Sequence, residues 1–471
     1  MSSYRSLAEI TNLLQAEDTT VASITEEYLV KIDENLNLNS FVEVFDDVLQ
    51  RADAVDIRLK KNIQGPLAGL VIGVKDLISI QDKKVQGSSN VLANYVSSYS
   101  ATAIERLIQG DAVIIGRNNC DEFGMGSSNE SSTFGPVRNP IDLNRVPGGS
   151  SGGSAAAVKA GLCAAAIGTD TGGSVRQPAA FCDVIGLKPT YSRISRTGLL
   201  AYASSFDTIG VIGNSIPDIS KIFDVMAGHD PLDSTSSKKP LQSEAKPDNK
   251  RILVLKETID HPELDPEIKQ SILDTLENYS NEGHTVVFKD FKYLEYILPA
   301  YYILTSAEAS SNLSRYDGVK YGKRSDSHQN LESMYVNTRS EGFGLEVIRR
   351  IILGTFVLSA SYYDAYYIKA QKIRRIIKNE IELAFKDFDF IVLPTTPTPP
   401  FRLGEFTKNP LKMYLSDLFT VIASVSGNPA ISIPNGYTKE GLPIGLQIIG
   451  KDFHESEMLD FADYTLSLKG K

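Results

Sequence analysis

Residues 147–178 read PGGSSGGSAAAVKAGLCAAAIGTDTGGSVRQP, a stretch punctuated by two Gly-Gly-Ser turns. The first turn, Gly148 to Ser154, leads into an Ala-rich run that reads as a helix over Ser154 to Gly161. The second, Asp170-Thr171-Gly172-Gly173-Ser174, closes an apolar segment, Leu162 to Ile167, that reads as a buried strand. Paired glycines carry no Cβ, so backbone can approach a small anion and aim successive N–H groups at it. An oxyanion hole beside a nucleophilic serine can be built in this way.

Gly/Ser clusters are more often plain loops, and two simpler readings have to be met first. A phosphate cradle needs a Lys-Ser/Thr after its glycines or a GxGxxG opening a helix, and the chain has neither. What favours catalysis is a lysine upstream. In Gly69-Leu70-Val71-Ile72-Gly73-Val74-Lys75-Asp76-Leu77-Ile78, Lys75 sits inside an otherwise apolar, strand-like run. Burial disfavours the charged amine, so such a lysine is either paired with a carboxylate or neutral and able to act as a base. Lowering a lysine from about 10.4 to about 7 takes roughly 4–5 kcal/mol.

The five histidines, His229, His261, His284, His328 and His454, all follow both Ser clusters and fall in segments that read as surface loops or element ends. None sits in a motif, which points to hydroxyl activation by lysine over a Ser-His-Asp arrangement, although a histidine folded back onto the serines stays open. The three cysteines, Cys120, Cys163 and Cys182, form no CxxC and read as reduced, structural thiols of a cytoplasmic protein. A net charge of −10 provides no general basic field for nucleic acid. No run reaches the roughly 18 apolar residues of a membrane span, and Met1 to Ser6 lacks the layout of a signal peptide.

Gly73-Val74-Lys75-Asp76, Gly148 to Ser154 and Asp170 to Ser174 resemble the motifs of the amidase signature family in type, order and spacing. The resemblance runs from about Leu67 to Gly450. It implies an α/β amidase-signature fold with a central mixed β-sheet covered by helices on both faces, and a Ser-cisSer-Lys triad. Carried over, Ser174 is the nucleophile, Ser150 the bridging serine behind a cis peptide, and Lys75 the general base. The oxyanion hole falls on the N–H groups of Thr171, Gly172 and Gly173 with that of Ser174. No metal or organic cofactor is implied in this chain.

Within the family, Asp121 to Glu130, Arg349 to Phe356 and Met413 to Leu418 resemble the glutaminases of three-subunit, tRNA-dependent amidotransferases. Free glutamine is a zwitterion, so its pocket needs an acceptor for the ammonium and a donor for the carboxylate. The resemblance assigns Asp417 and Arg350 to these tasks, with Tyr301 and Thr171 as neighbours, and leaves Arg349 open as the alternative to Arg350. It also implies two partner subunits in a heterotrimer. ATP and Mg would bind a partner, which would also hold the mischarged tRNA, Glu-tRNA(Gln) or Asp-tRNA(Asn). A stand-alone amidase and a catalytically silent scaffold remain as alternatives.

Read along its length, the chain forms one large domain over residues 1–471. Residues 1–62 read as a helical lead-in, with Leu7, Ile10, Leu13 and Leu14, then Val21, Ile24, Tyr28 and Ile32, at helical spacing. Residues 63–229 alternate strand-like and helical runs, which argues for an α/β sheet and carries the triad. Residues 230–250, rich in Ser, Lys, Pro and Asp, read as a surface connection. Residues 251–471 add an inserted α/β portion and return to the core through a helical stretch from Leu345 to Phe385, in which Tyr362, Tyr363, Tyr366 and Tyr367 read as packing.

Overall fold

Val71-Ile72-Gly73-Val74-Lys75 is a β-branched and small-residue run suited to a strand with no exposed face, and in the computed structural model all five residues are buried. The structure describes residues 5–241, 249–407 and 409–468. Their strands are β1 (Phe41–Val44), β2 (Val71–Lys75), β3 (Val113–Asn118), β4 (Ala165–Asp170), β5 (Ile185–Lys188) and β6 (Thr208–Gly213). The second half adds β7 (Arg251–Leu255), β8 (Thr285–Lys289), β9 (Phe390–Pro394), β10 (Ala430–Tyr437) and β11 (Pro443–Ile449). All join one sheet in the order β1-β3-β2-β4-β6-β5-β10-β11-β9-β7-β8.

The sheet is mixed. β2 runs parallel to β3 and β4, and β7 runs parallel to β8 and β9. The remaining neighbours are antiparallel. Successive side chains of a strand point to opposite faces, and every residue of β2, β3, β4, β5, β6, β9 and β11 is buried, so both faces are covered. The parallel trio β3-β2-β4 brings three carboxyl ends to one edge, with Lys75 in register with Asn118 and Asp170 closing β4. Ligands of open α/β sheets bind at such an edge.

Several boundaries differ from the sequence reading for local reasons. The Ala-rich helix is Gly152–Lys159, and the strand after it is β4, because residues 161–164 make the turn that returns the chain to Val71. The lead-in is not helical throughout. Between helices Val21–Glu34 and Val48–Lys60, β1 adds an antiparallel edge strand against β3. The stretch from Leu345 to Phe385 is also interrupted. Helix Leu345–Leu358 ends where Ser359 turns extended, a π-helical segment Tyr363–Ile368 follows, and helix Lys369–Ala384 resumes. Tyr362, Tyr363 and Tyr366 are therefore 38–41% exposed, with Tyr362 and Tyr366 packed on each other and on Phe356 outside the core.

The composition shift after Asp230 falls partly on residues 242–248, which lie outside the described residues. Its first part is anchored: Asp230 accepts hydrogen bonds from Ser195 and Thr102, and Asp233 pairs with Arg196.

Arg176 follows the second Gly-Gly-Ser turn and is fully buried. It forks onto Asp170 at 3.0 and 2.8 Å and donates to the Thr420 carbonyl at 2.7 Å, to Ser424 at 3.0 Å and to Gln447. Burial pushes Asp170 up, but the guanidinium more than offsets it and the carboxyl sits below its ordinary range. The pair thus fastens the end of β4 to the segment before β10 and to β11. Substituting Arg176→Met leaves Asp170 buried without its counter-charge and is expected to cost about 3–5 kcal/mol in denaturant unfolding; a loss under about 1 kcal/mol would contradict this reading.

Candidate active site

Lys75 Nζ ends β2 among oxygens: Ser150 Oγ at 2.7 Å, Thr169 Oγ1 at 2.8 Å, Ser151 Oγ at 2.9 Å and the Thr169 carbonyl at 3.5 Å. Among the described residues these partners include no carboxylate. Burial lowers Lys75 to about 8, while the more distant Asp121, Asp170 and Asp207 and the Cys120 sulfur pull the other way. The Gly149–Ser150 peptide is cis. Gly149 itself leaves no room for a side chain, since a Cβ there would clash with Asp121 Oδ2.

The two Gly-Gly-Ser turns meet backbone to backbone. Ser151 N–H donates to the Ser174 carbonyl at 3.0 Å, and Asp121 N–H donates to the Ser150 carbonyl at 3.1 Å. Ser174 is 9% exposed, the only one of the three sequence-predicted triad residues with access beyond 1%. Gly173 corrects the expectation for the oxyanion hole. Its N–H is donated to Asp170 Oδ1 at 2.9 Å and so is already engaged. Gly173 keeps φ at +135°, and a Cβ there would strike Thr420 Oγ1. Thr420 in turn donates to the Gly172 carbonyl at 2.6 Å.

The residues expected around a zwitterion come together through one ring, Tyr302. Its hydroxyl donates to Asp417 Oδ2 at 3.2 Å, and the Arg350 guanidinium lies 4.9 Å from its centroid. Arg350 also donates from Nε to Glu346 at 2.8 Å and from Nη1 to the Tyr202 hydroxyl at 2.5 Å. Asp417 accepts from Ser127 Oγ at 2.7 Å. Burial raises Asp417 to about 7, with Ser127, Arg350 and Tyr302 acting against it. Tyr301 is buried with its hydroxyl against Gly172, where it occupies the space a Cβ would need. Arg349 also pairs with Glu346, but its side chain is 40% exposed against 4% for Arg350. A cavity of about 270 Å³ opens here, lined among others by Ser127, Glu346, Arg349, Arg350, Met413 and Tyr414.

The sequence reading did not assign Ser151 and Thr169 to the lysine, nor Tyr202, Tyr302, Glu346 and Tyr414 to the arginine. Glu346 had a signal, since it precedes Arg350 by one helical turn on helix Leu345–Leu358. The tyrosines had none, because they arrive from separate segments. His284 stands at an element end, immediately before β8, buried beside Tyr279, Phe461 and Tyr464, and among the described residues no histidine hydrogen-bonds Ser150 or Ser174. Cys120, Cys163 and Cys182 are free and buried, and burial pushes all three thiols up. Among the described residues no helix is long and apolar enough to cross a membrane.

A family model described as Amidase matches residues 23–459. The A subunit of the glutamyl-tRNA(Gln) amidotransferase of Chlorobium phaeobacteroides (strain DSM 266) is 49% identical over 467 residues, covering 98% of each chain. The protein of that name from Sulfurihydrogenibium sp. is 47% identical over 465 residues, covering 97% of this chain and 96% of its own. The crystal structure of the A subunit of the glutamyl-tRNA(Gln) amidotransferase from Thermotoga maritima superposes with a TM-score of 0.77 at 36% identity, over 93% of this chain and 90% of that one.

An amine lowered to about 8 and hydrogen-bonded to Ser150 predicts a pH dependence that does not require the substrate. Below that value the Lys75 ammonium has no vacancy for a proton, so the rate of Ser174 modification by a small sulfonyl fluoride should rise with pH through about 8 and then level. Lys75→Ala should slow it about 100-fold and abolish the rise; an unchanged profile would contradict the geometry. Because Lys75 is lowered on folding, the native state binds fewer protons than the unfolded chain between about 8 and its ordinary value, and stability rises with pH across that window.

Proposed function

The chain belongs to the amidase family, and we propose that it is the glutaminase of a tRNA-dependent amidotransferase, hydrolysing glutamine to glutamate and ammonia. The observation that carries this choice of substrate is the joining of Arg350 to Asp417 across Tyr302, beside the Gly172 turn. One buried guanidinium and one buried carboxyl group on the same tyrosine offer a donor for an α-carboxylate and an acceptor for an α-ammonium, and neither would help a neutral amide. Arg350 takes the carboxylate, in preference to Arg349, because it is the arginine enclosed with Asp417. Asp417, at about 7 when empty, is held ionised by the ammonium it receives.

The chemistry follows from the lysine's surroundings. A neutral amine has two N–H groups and one lone pair; donating to Thr169 and Ser151 leaves the lone pair toward Ser150. The Ser174 hydroxyl proton passes through Ser150 to Lys75 as Ser174 Oγ attacks the side-chain carboxamide carbon. The amides of Thr171, Gly172 and Ser174 hold the tetrahedral oxyanion. Collapse breaks the C–N bond, the proton returns to the leaving nitrogen, and ammonia departs from a γ-glutamyl ester on Ser174. Water then hydrolyses that ester by the same relay.

Two further subunits complete a heterotrimer. One of them, carrying ATP and Mg, uses the ammonia to amidate the glutamate of Glu-tRNA(Gln) or the aspartate of Asp-tRNA(Asn). The relatives' name supports this assembly, and the net charge of −10 leaves tRNA to the partners. Ammonia release is the test, with the complex incubated with glutamine, asparagine and simple aryl amides. Glutamine should be preferred, Ser174→Ala should abolish release, and Arg350→Met or Asp417→Asn should raise KM for glutamine at least about tenfold. Fast turnover of simple amides with glutamine ignored would overturn the assignment.

A further inference from the structure

Asp207 stands immediately before β6, buried at 4% exposure, and its two carboxylate oxygens hold two different pieces of the site. Oδ1 accepts from Thr171 Oγ1 at 2.7 Å. Oδ2 accepts from the backbone N–H groups of Tyr202 at 2.9 Å and Ala203 at 3.0 Å. Thr171 begins the turn proposed to supply the oxyanion amides. Tyr202 carries the hydroxyl that meets Arg350 Nη1. All three donors are neutral, so among the described residues this carboxylate is buried without a hydrogen-bonded counter-charge, an arrangement that is costly unless it secures geometry.

The segment that includes Asp207 is fixed from outside as well. Glu308 accepts from Ser205 N–H at 2.9 Å and Ser205 Oγ at 2.5 Å, and Arg374 donates to the Ser205 carbonyl at 2.7 Å. Asn312 donates to the Tyr202 carbonyl at 3.2 Å, and Phe206 meets the ring of Tyr301 edge-on at 5.7 Å. Asp207 therefore hangs from a rigid frame and reaches both the oxyanion turn and the arginine's partner.

We propose that Asp207 is a positioning residue that keeps the oxyanion amides and the carboxylate-binding arginine in register, so that a glutamine held by Arg350 presents its carboxamide to those amides. The proposal rests on the glutaminase reading of Arg350 and Thr171. Its signature is a split between two arms. Thr171→Val removes the hydroxyl that Asp207 holds and should lower kcat for glutamine about tenfold with KM nearly unchanged. Tyr202→Phe keeps the ring, loses the hydroxyl on Arg350, and should raise KM about tenfold with kcat nearly unchanged. Asp207→Ala should do both. Asp207→Asn should recover most of each loss, because its carbonyl can face the two backbone N–H groups and its amide can donate to Thr171.

The experiment is steady-state ammonia release by the assembled complex from glutamine and from γ-aminobutyramide, which lacks the α-carboxylate. Tyr202→Phe should lower kcat/KM for glutamine about tenfold more than for γ-aminobutyramide, a selectivity that general loosening of the fold would not give. If Asp207→Ala fails to fold, the two single variants still decide. Normal glutaminase in the parent complex, with Thr171→Val and Tyr202→Phe each within about twofold of it in both constants, overturns the proposal. Absence of glutaminase in the parent complex overturns the functional reading instead.

Discussion

An amine buried at the carboxyl end of a central strand, with hydroxyls and a carbonyl as its hydrogen-bond partners, is the constraint around which this molecule is built. Lys75 loses its hydration, and loss of hydration outweighs the pull of three carboxylates that stand further off. A direct carboxylate contact would reverse the balance and keep the amine charged. The fold avoids one by giving each of those carboxylates another task. Asp121 accepts from Asn129 and Ser131, Asp170 is taken by Arg176, and Asp207 by Thr171, Tyr202 and Ala203. Each of those tasks also shapes a loop of the site, so the charges that tune the lysine and the contacts that hold its neighbours are the same groups.

The cluster proposed to bind glutamine shares charges in a similar way. Arg350 lies among the rings of Tyr202, Tyr302 and Tyr414 and keeps one carboxylate, Glu346, as a resident partner. That leaves a buried guanidinium that is oriented before any ligand arrives, which lowers the ordering cost of binding. Asp417 is poised near neutrality with Ser127 and Tyr302 supporting its charged form. Anchors of this kind, on helix Leu345–Leu358 and on the segment before β10, reach the oxyanion turn through Tyr301, Tyr302 and Thr420.

The meeting of Lys75 with the two Gly-Gly-Ser turns was legible in the sequence because its signals are local. A lysine in an apolar strand and two doubled glycines before serines each state their backbone needs within a few residues, and the parallel pairing of β2 with β4 is what converts them into one site. An α/β sheet was expected from the alternation of elements, and its mixed character from the family resemblance. What escaped was set by distant packing. β1 was hidden in a helical lead-in because four residues on a sheet edge carry little pattern. The break after Leu358 has no proline or glycine to announce it, and the tyrosines that follow surface in a π-helical segment. Gly173 is free for an oxyanion in the sequence, but in the fold the side chain of Asp170, three residues earlier, takes its N–H. Tyr202 and Tyr302 could not be assigned to Arg350, since nothing local in their own segments points to it.

The central claim, that Lys75 acting through Ser150 makes Ser174 the nucleophile, is tested most directly by trapping the intermediate. The assembled complex is acid-quenched during turnover of glutamine, digested, and its peptides examined by mass spectrometry. The account predicts a γ-glutamyl ester on Ser174 in the parent protein and its absence in Lys75→Ala. An acyl group on another residue, or undiminished ester on Ser174 in Lys75→Ala, would contradict it.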